Sequence, residues 1–257
     1  TGWASMFIEP YLAPGGFIVS AQNSINEDTI ASVVGWPRVG GCVVTIGAAM
    51  YDPGRALRTS PIERPSFKVG EPSGMITPRV ETMTEILSEV GQTKTTTNLW
   101  GERWAKLATN SMGNAVAGFT GLSTAGLREI PEVRALSIRI AAELIQVATA
   151  LGVSIEPIGG IPAQMYLDAV DDGAKKEEVE SMMLDQLKFA GTGRPSLAQD
   201  VAKGRKTEVD YLNGYVVRRG AQMGVPTPIN QTVMDLTHQV EAGELEPSMS
   251  NLEKIKF

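Results

Sequence analysis

Over the first hundred residues, apolar positions come in short runs separated by turn residues. Residues 6–12 are amphipathic and are closed by Pro14-Gly15-Gly16. Residues 17–20, Phe-Ile-Val-Ser, form a short β-rich run, the pattern of a buried strand. Residues 26–34 have helical spacing, and 41–48 are β-rich again. Residues 58–60 and 66–70 predict two further strands. Residues 78–90 predict a helix, with Pro78 at its start and Gly91 past its end. A last short strand is expected at 95–98. Alternating strands and helices imply an α/β domain over residues 1–97.

From residue 98 onward the strand-like runs stop and helical periods take over. Residues 100–117 predict one helix and 131–151 another, bounded by Pro131 and Gly152. Further helices are expected at 162–170, 177–188, 195–203, 208–223 and 228–242, with Gly204, Gly224 and Gly243 as stops. Residues 98–257 therefore predict an all-helical second domain. There is no internal repeat and no low-complexity segment.

Charge and composition narrow the function. A formal net charge of −6, with no Lys/Arg run longer than two, argues against a nucleic-acid partner. A single cysteine, Cys42, and a single histidine, His238, exclude an intrachain disulfide and a Cys/His zinc site. Cys42 lies in the apolar stretch Gly41-Cys42-Val43-Val44 and is expected to be a buried small hydrophobe. His238 is expected to be a surface or satisfied histidine. No run approaches the roughly 18 apolar residues of a membrane span. The chain opens on Thr1 rather than Met and reads like the middle of a gene product.

Three constellations could carry chemistry. Lys106, Asn110 and Asn114 are spaced i, i+4, i+8, so a helix would put them on one stripe. Asparagine is a poor interior helix residue, and the small neighbours Ala105, Ala108, Gly113 and Ala115 let another object approach. The bland reading is a solvated helix face. Ser196 follows Pro195 at a helix start, where backbone N–H groups favour an anion. Downstream, Thr207 suits a helix N-cap with Glu208 and Asp210 in the first turn, a pattern that needs no function. Gln22-Asn23-Ser24 follows a strand, where doubly wound sheets seat their ligands, although a plain turn explains it equally. Gly191-Thr192-Gly193 looks like the start of G-x-G-x-x-G, but Ser196 stands at the third glycine and no strand precedes it. No other stretch carries a dinucleotide fingerprint.

In their order and spacing these segments resemble the ketopantoate reductase (2-dehydropantoate 2-reductase) family. The match runs from Gln22-Asn23 through Lys106, Asn110 and Asn114 to Ser196 with Gln199-Asp200. It continues in Thr207-Glu208-Val209-Asp210, Leu212-Asn213-Gly214 and Gly224-Val225-Pro226-Thr227-Pro228, and covers residues 6–253. The resemblance implies a partial Rossmann-like, doubly wound domain followed by a helical domain like that of 6-phosphogluconate dehydrogenase, with the active site in the cleft between them. It implies NADP(H)-dependent reduction of 2-dehydropantoate to pantoate in pantothenate biosynthesis, by a cytoplasmic homodimer without metal. Residue by residue, it implies Lys106 as the general acid and Glu208 on the substrate hydroxyl. It puts Ser196 on the carboxylate, Asn110 and Asn114 beside lysine and substrate, and Asn23 and Glu208 near the cofactor. The alternatives are a related reductase of another 2-keto acid and a non-catalytic helical dimerisation fragment. Two departures stand out. Many members have Gln-Asn-Gly where this chain has Gln22-Asn23-Ser24, and the glycine-rich loop with roughly the first third of the Rossmann sheet is absent. The sequence is therefore expected to be the later part of a longer one.

Overall fold

The computed structural model describes residues 1–186 and 194–256. The packing forms two compact units, Thr1–Trp104 and Ala105–Phe257. The first is built from helices α1 (Gly2–Ile8), α2 (Glu27–Val34) and α3 (Pro78–Ser88), and strands β1 (Ile18–Ser20), β2 (Val39–Val44), β3 (Ala48–Asp52), β4 (Arg55–Arg58), β5 (Phe67–Gly70) and β6 (Thr93–Thr95). Helix α4 (Leu99–Asn110) begins in it.

Four of these strands form one sheet in the order β1-β2-β5-β6. The connections explain the pairing. Helices α2 and α3 cross over between β1 and β2 and between β5 and β6, and both pairs are parallel, as a helical crossover allows. No helix separates β2 from β5, and that pair is antiparallel, with Cys42 opposite Val69 and Val44 opposite Phe67. On one face Cys42, Phe67 and Val69 pack against Val80 and Met83 of α3. On the other, Gly41 lets Leu99 lie on the strand, because a Cβ there would stand 2.1 Å from Leu99 Cδ2. Cys42 is the buried hydrophobe expected of it, and burial pushes its thiol pKa up.

Three strand expectations need correction, and the simplest is the last strand, which lies at Thr93–Thr95 rather than at 95–98. The run 41–48 breaks at Val44, where the N–H groups of Thr45 and Ile46 both turn to the Ser66 carbonyl. The strand placed at 58–60 ends at Arg58 and is β4, paired with β3 in a separate hairpin across Pro53-Gly54. Neither arm is rich in β-branched residues, so the hairpin carries little of the usual strand signature.

The second unit is helical: α5 (Val116–Thr120), α6 (Gly126–Glu129), α7 (Pro131–Ala150), α8 (Ala163–Asp168), α9 (Gly173–Asp185), α10 (Ser196–Ala202), α11 (Asn213–Met223) and α12 (Pro228–Glu241). Pro131 opens α7 and Gly152, at φ +77°, lies past its end. Helix α7 is buried nearly all round, as a central helix must be, and packs against α6, α8, α9, α11 and α12. Its Glu143 carboxylate accepts from the Ile229 and Asn230 N–H groups at 2.8 and 2.9 Å, closing the start of α12. Burial pushes the Glu143 pKa up, against those hydrogen bonds. No helix among the described residues is long and apolar enough to cross a membrane.

Three helix expectations shift. The helix at 100–117 is interrupted by a π-helical turn, Ser111–Ala115, between α4 and α5. The helix at 177–188 starts earlier, because the Asp172 carboxylate caps Ala174 and Lys175 at 2.9 and 3.2 Å. Its last expected residues, 187 and 188, lie outside the described residues, as does Gly191-Thr192-Gly193. The helix at 208–223 begins only at Asn213.

Candidate functional site

In the second unit the structure gathers four of the residues singled out in the sequence. Asn114, in the π-helical turn, donates from Nδ2 to Ser196 Oγ at 3.3 Å. The Ser196 hydroxyl, in the first turn of α10, donates to Glu208 Oε1 at 3.4 Å. Both contacts are longer than the usual 2.7–3.0 Å modes. Lys106, half-buried on α4, completes the group through its charge. Burial holds its ammonium below the ordinary lysine pKa, and the Glu208 carboxylate pulls it back up. Asn110 is buried at 5% exposure, and its Nδ2 has no hydrogen-bond partner among the described residues; the neighbouring Ser111 hydroxyl is likewise unpartnered. Two buried, unmade hydrogen bonds at the entry to a π-helical turn are a costly arrangement, of a kind that recurs at functional sites.

Glu208 does not sit in the first turn of a helix, and Thr207 is not its N-cap. Residues Val209–Tyr211 make a short 3-10 turn, and α11 starts after Leu212, whose φ of −100° and ψ of −98° break the helix. Two buried side chains, Val209 and Leu212, pin this segment. Thr207 N–H donates to Glu241 Oε1 at 2.6 Å, and Asp210 Oδ1 lies 2.9 Å from His238 Nε2. His238 is thus the satisfied histidine expected, and its partner stabilises the loop that carries Glu208. A tight turn anchored at both ends can aim a carboxylate where a helix first turn could not.

Asn23 belongs to the first unit, in the turn that follows β1. Its carbonyl accepts from Asn26 Nδ2 at 2.7 Å. The next residue, Ser24, has φ +71°, the left-handed region that favours glycine, and is buried. Ser24 thus holds a glycine-like backbone. Arg103, on α4, holds this turn from inside. It donates to the Ser20 and Gln22 carbonyls at 3.2 and 3.1 Å and, through Nε, to Glu27 Oε1 at 2.8 Å.

Residues 98–241 match the family described as ketopantoate reductase PanE/ApbA C terminal. The chain belongs to the ketopantoate reductase family. A 2-dehydropantoate 2-reductase of Archaeoglobus fulgidus is 26% identical over 230 residues, covering 89% of this chain and 69% of that protein. The crystal structure of a PanE/ApbA family ketopantoate reductase from Ralstonia eutropha JMP134 superposes with a TM-score of 0.74. It is 26% identical and covers 94% of this chain and 72% of its own. A D-mandelate dehydrogenase in complex with NADH shares the fold, with a TM-score of 0.77 at 19% identity over 94% of this chain and 75% of its own. The fold is therefore a partial Rossmann-like unit followed by a helical unit of the ketopantoate reductase type.

Sequence reasoning missed the residues that support this family's motifs here. Arg103 and Glu27 are 76 positions apart and meet only in the fold. Glu241 and His238 read as ordinary residues of a helix end. Arg103 did leave one signal, a cation on the otherwise apolar side of α4 beside Leu99 and Leu107, all three buried.

Proposed function

We propose that this chain carries the substrate-handling residues of an NADPH-dependent 2-dehydropantoate 2-reductase acting in pantothenate biosynthesis. The hydrogen-bonded series Asn114–Ser196–Glu208, with the Lys106 ammonium under the influence of Glu208, carries this reading. A 2-keto acid presents a carboxylate and a ketone oxygen. Reduction turns that oxygen into an alkoxide, which needs a positive group to stabilise it and a proton to finish the reaction. Lys106 supplies both from Nζ, and its lowered pKa makes the proton easier to give. Glu208 accepts from the substrate hydroxyl and keeps Lys106 charged. Ser196 turns its hydroxyl from Glu208 to the substrate carboxylate, and Asn114 follows it. Asn110 Nδ2 provides a ready donor to substrate or lysine.

The turn bearing Asn23 lies at the carboxyl end of β1, the usual ligand end of a doubly wound sheet. A half-buried asparagine there fits the nicotinamide end of a dinucleotide. No stretch of the 257 residues has the glycine-rich loop that cradles a pyrophosphate. When bound, the reduced nicotinamide supplies the hydride. The test is to follow NADPH oxidation by the full-length protein with a panel of 2-keto acids. 2-Dehydropantoate is expected to have the highest kcat/KM, and NADPH to be preferred over NADH. A higher kcat/KM for an aromatic 2-keto acid would overturn the substrate assignment. A second copy of the chain is the partner this reading implies, and sedimentation would count it.

A further inference from the structure

The first unit holds one nearly solvent-free ion pair: Arg103 is 2% exposed and Glu27 is fully buried. Such a pair seldom repays its desolvation through stability alone. Its remaining hydrogen bonds indicate where it acts. The Arg103 guanidinium reaches the Ser20 carbonyl with Nη2 and the Gln22 carbonyl with Nη1. The second oxygen of Glu27 accepts from the Asn26 N–H at 3.1 Å, and Asn26 Nδ2 holds the Asn23 carbonyl. Every one of these contacts falls on residues 20–27. That segment also contains the one described non-glycine residue with positive φ, Ser24. A left-handed serine costs about 1–2 kcal/mol and persists only where its surroundings over-determine it. Here the surroundings are the Arg103–Glu27 pair, gripping the backbone on both sides of Asn23.

We propose that Arg103, with Glu27, is a positioning residue that locks the Gln22–Ser24 turn and so sets where the Asn23 side chain points. The inference rests on the keto-acid reductase reading only for what Asn23 touches; the clamp itself is independent of it. The planar fork is essential, since a lysine could balance Glu27 but could not donate to two carbonyls and a carboxylate in fixed directions. Arg103 stands three residues before Lys106 on α4, so one helix carries both the lock and the proposed acid.

The experiment uses Arg103→Lys, which keeps the charge opposite Glu27, in the full-length protein, with Asn23→Ala and the double variant. Hydrogen–deuterium exchange should rise at least severalfold in peptides spanning residues 18–27 and stay unchanged in those covering β5 and α3. Unchanged exchange at 18–27, or a rise spread over the whole unit, overturns the lock. In NADPH-dependent turnover, Arg103→Lys should lower kcat/KM about tenfold in the parent and less than twofold in the Asn23→Ala background. This is the non-additivity expected of residues acting through one another. Equal losses in both backgrounds would overturn the positioning role, as would no loss in the parent. If the parent reduces no 2-keto acid while exchange responds as expected, the functional reading fails and the lock stands.

Discussion

The two places where the sequence concentrates polar side chains are held in opposite ways. Around the turn of residues 20–27, donors and acceptors are matched within the protein: Arg103 to Ser20, Gln22 and Glu27, and Asn26 to Asn23. Around Lys106 the contacts are stretched to 3.3 and 3.4 Å, and Asn110 Nδ2 is left unmade. The first arrangement uses its polar groups to fix a backbone, while the second leaves the Asn110 Nδ2 and Ser111 hydroxyl donors unused. Clustered polarity therefore has two physical meanings in one chain, told apart by how far its hydrogen-bonding capacity is already spent.

If that distinction is right, mutations in the two places fail differently. The largest effect is expected from Lys106→Ala in the full-length protein, a loss of about two to four orders of magnitude in kcat, the range of a general acid. Thermal unfolding should be unchanged or raised, because burial disfavours the charge that this variant removes. A fall in melting temperature with normal turnover would assign Lys106 to structure and erase the contrast. Arg103→Met should differ by costing stability as well as turnover. It strands Glu27 in a buried site and should cost about 3–5 kcal/mol of stability, read by chemical denaturation.

The pH profile sharpens the comparison. The proposed acid role requires protonated Lys106, whose pKa in the folded protein is held below the ordinary lysine value. Turnover should therefore fall on the alkaline side as pH rises through that lowered pKa. Glu208→Gln removes the upward pull, so the alkaline limb should move to lower pH. A limb that stays in place in Glu208→Gln would dissociate the two residues. A smaller change is expected for Ser196→Ala, a rise in KM of roughly 2- to 15-fold from one lost hydrogen bond, with kcat little altered. The smallest is expected for Ser24→Gly. Relief of the left-handed strain and the added backbone freedom nearly cancel, leaving stability within about 1 kcal/mol, whereas Ser24→Val should destabilise clearly.

The change from α/β to helical texture was legible because it rests on periodicity, and Pro131, Gly152 and Gly224 mark helix ends in sequence as they do in space. The spacing of Lys106, Asn110 and Asn114, and the company of Ser196 and Glu208, were legible as a pattern. What stayed hidden was whatever depends on long-range packing. Glu208 looked like a helix first turn because local propensity favours one, and it became a loop residue because Val209 and Leu212 had to be buried. The Arg103–Glu27 pair has no local signature. Nor has the β3–β4 hairpin, whose composition scarcely differs from that of a loop.

The π-helical turn at Ser111–Ala115 also settles a question of angular phase. On an α-helix, a step of four residues overshoots a full revolution by about 40°, so two such steps would carry Asn114 about 80° away from Lys106. A π turn takes roughly 4.4 residues per revolution, and a step of four then falls about 30° short. The advance from Lys106 to Asn110 and the retreat from Asn110 to Asn114 nearly cancel. The lysine and the second asparagine return to almost the same azimuth two turns apart, which a regular helix of the same sequence would not provide. Removing one residue, such as Gly113, should restore the regular helix yet leave Asn114 seven places after Lys106, only about 20° from its azimuth and so still in line.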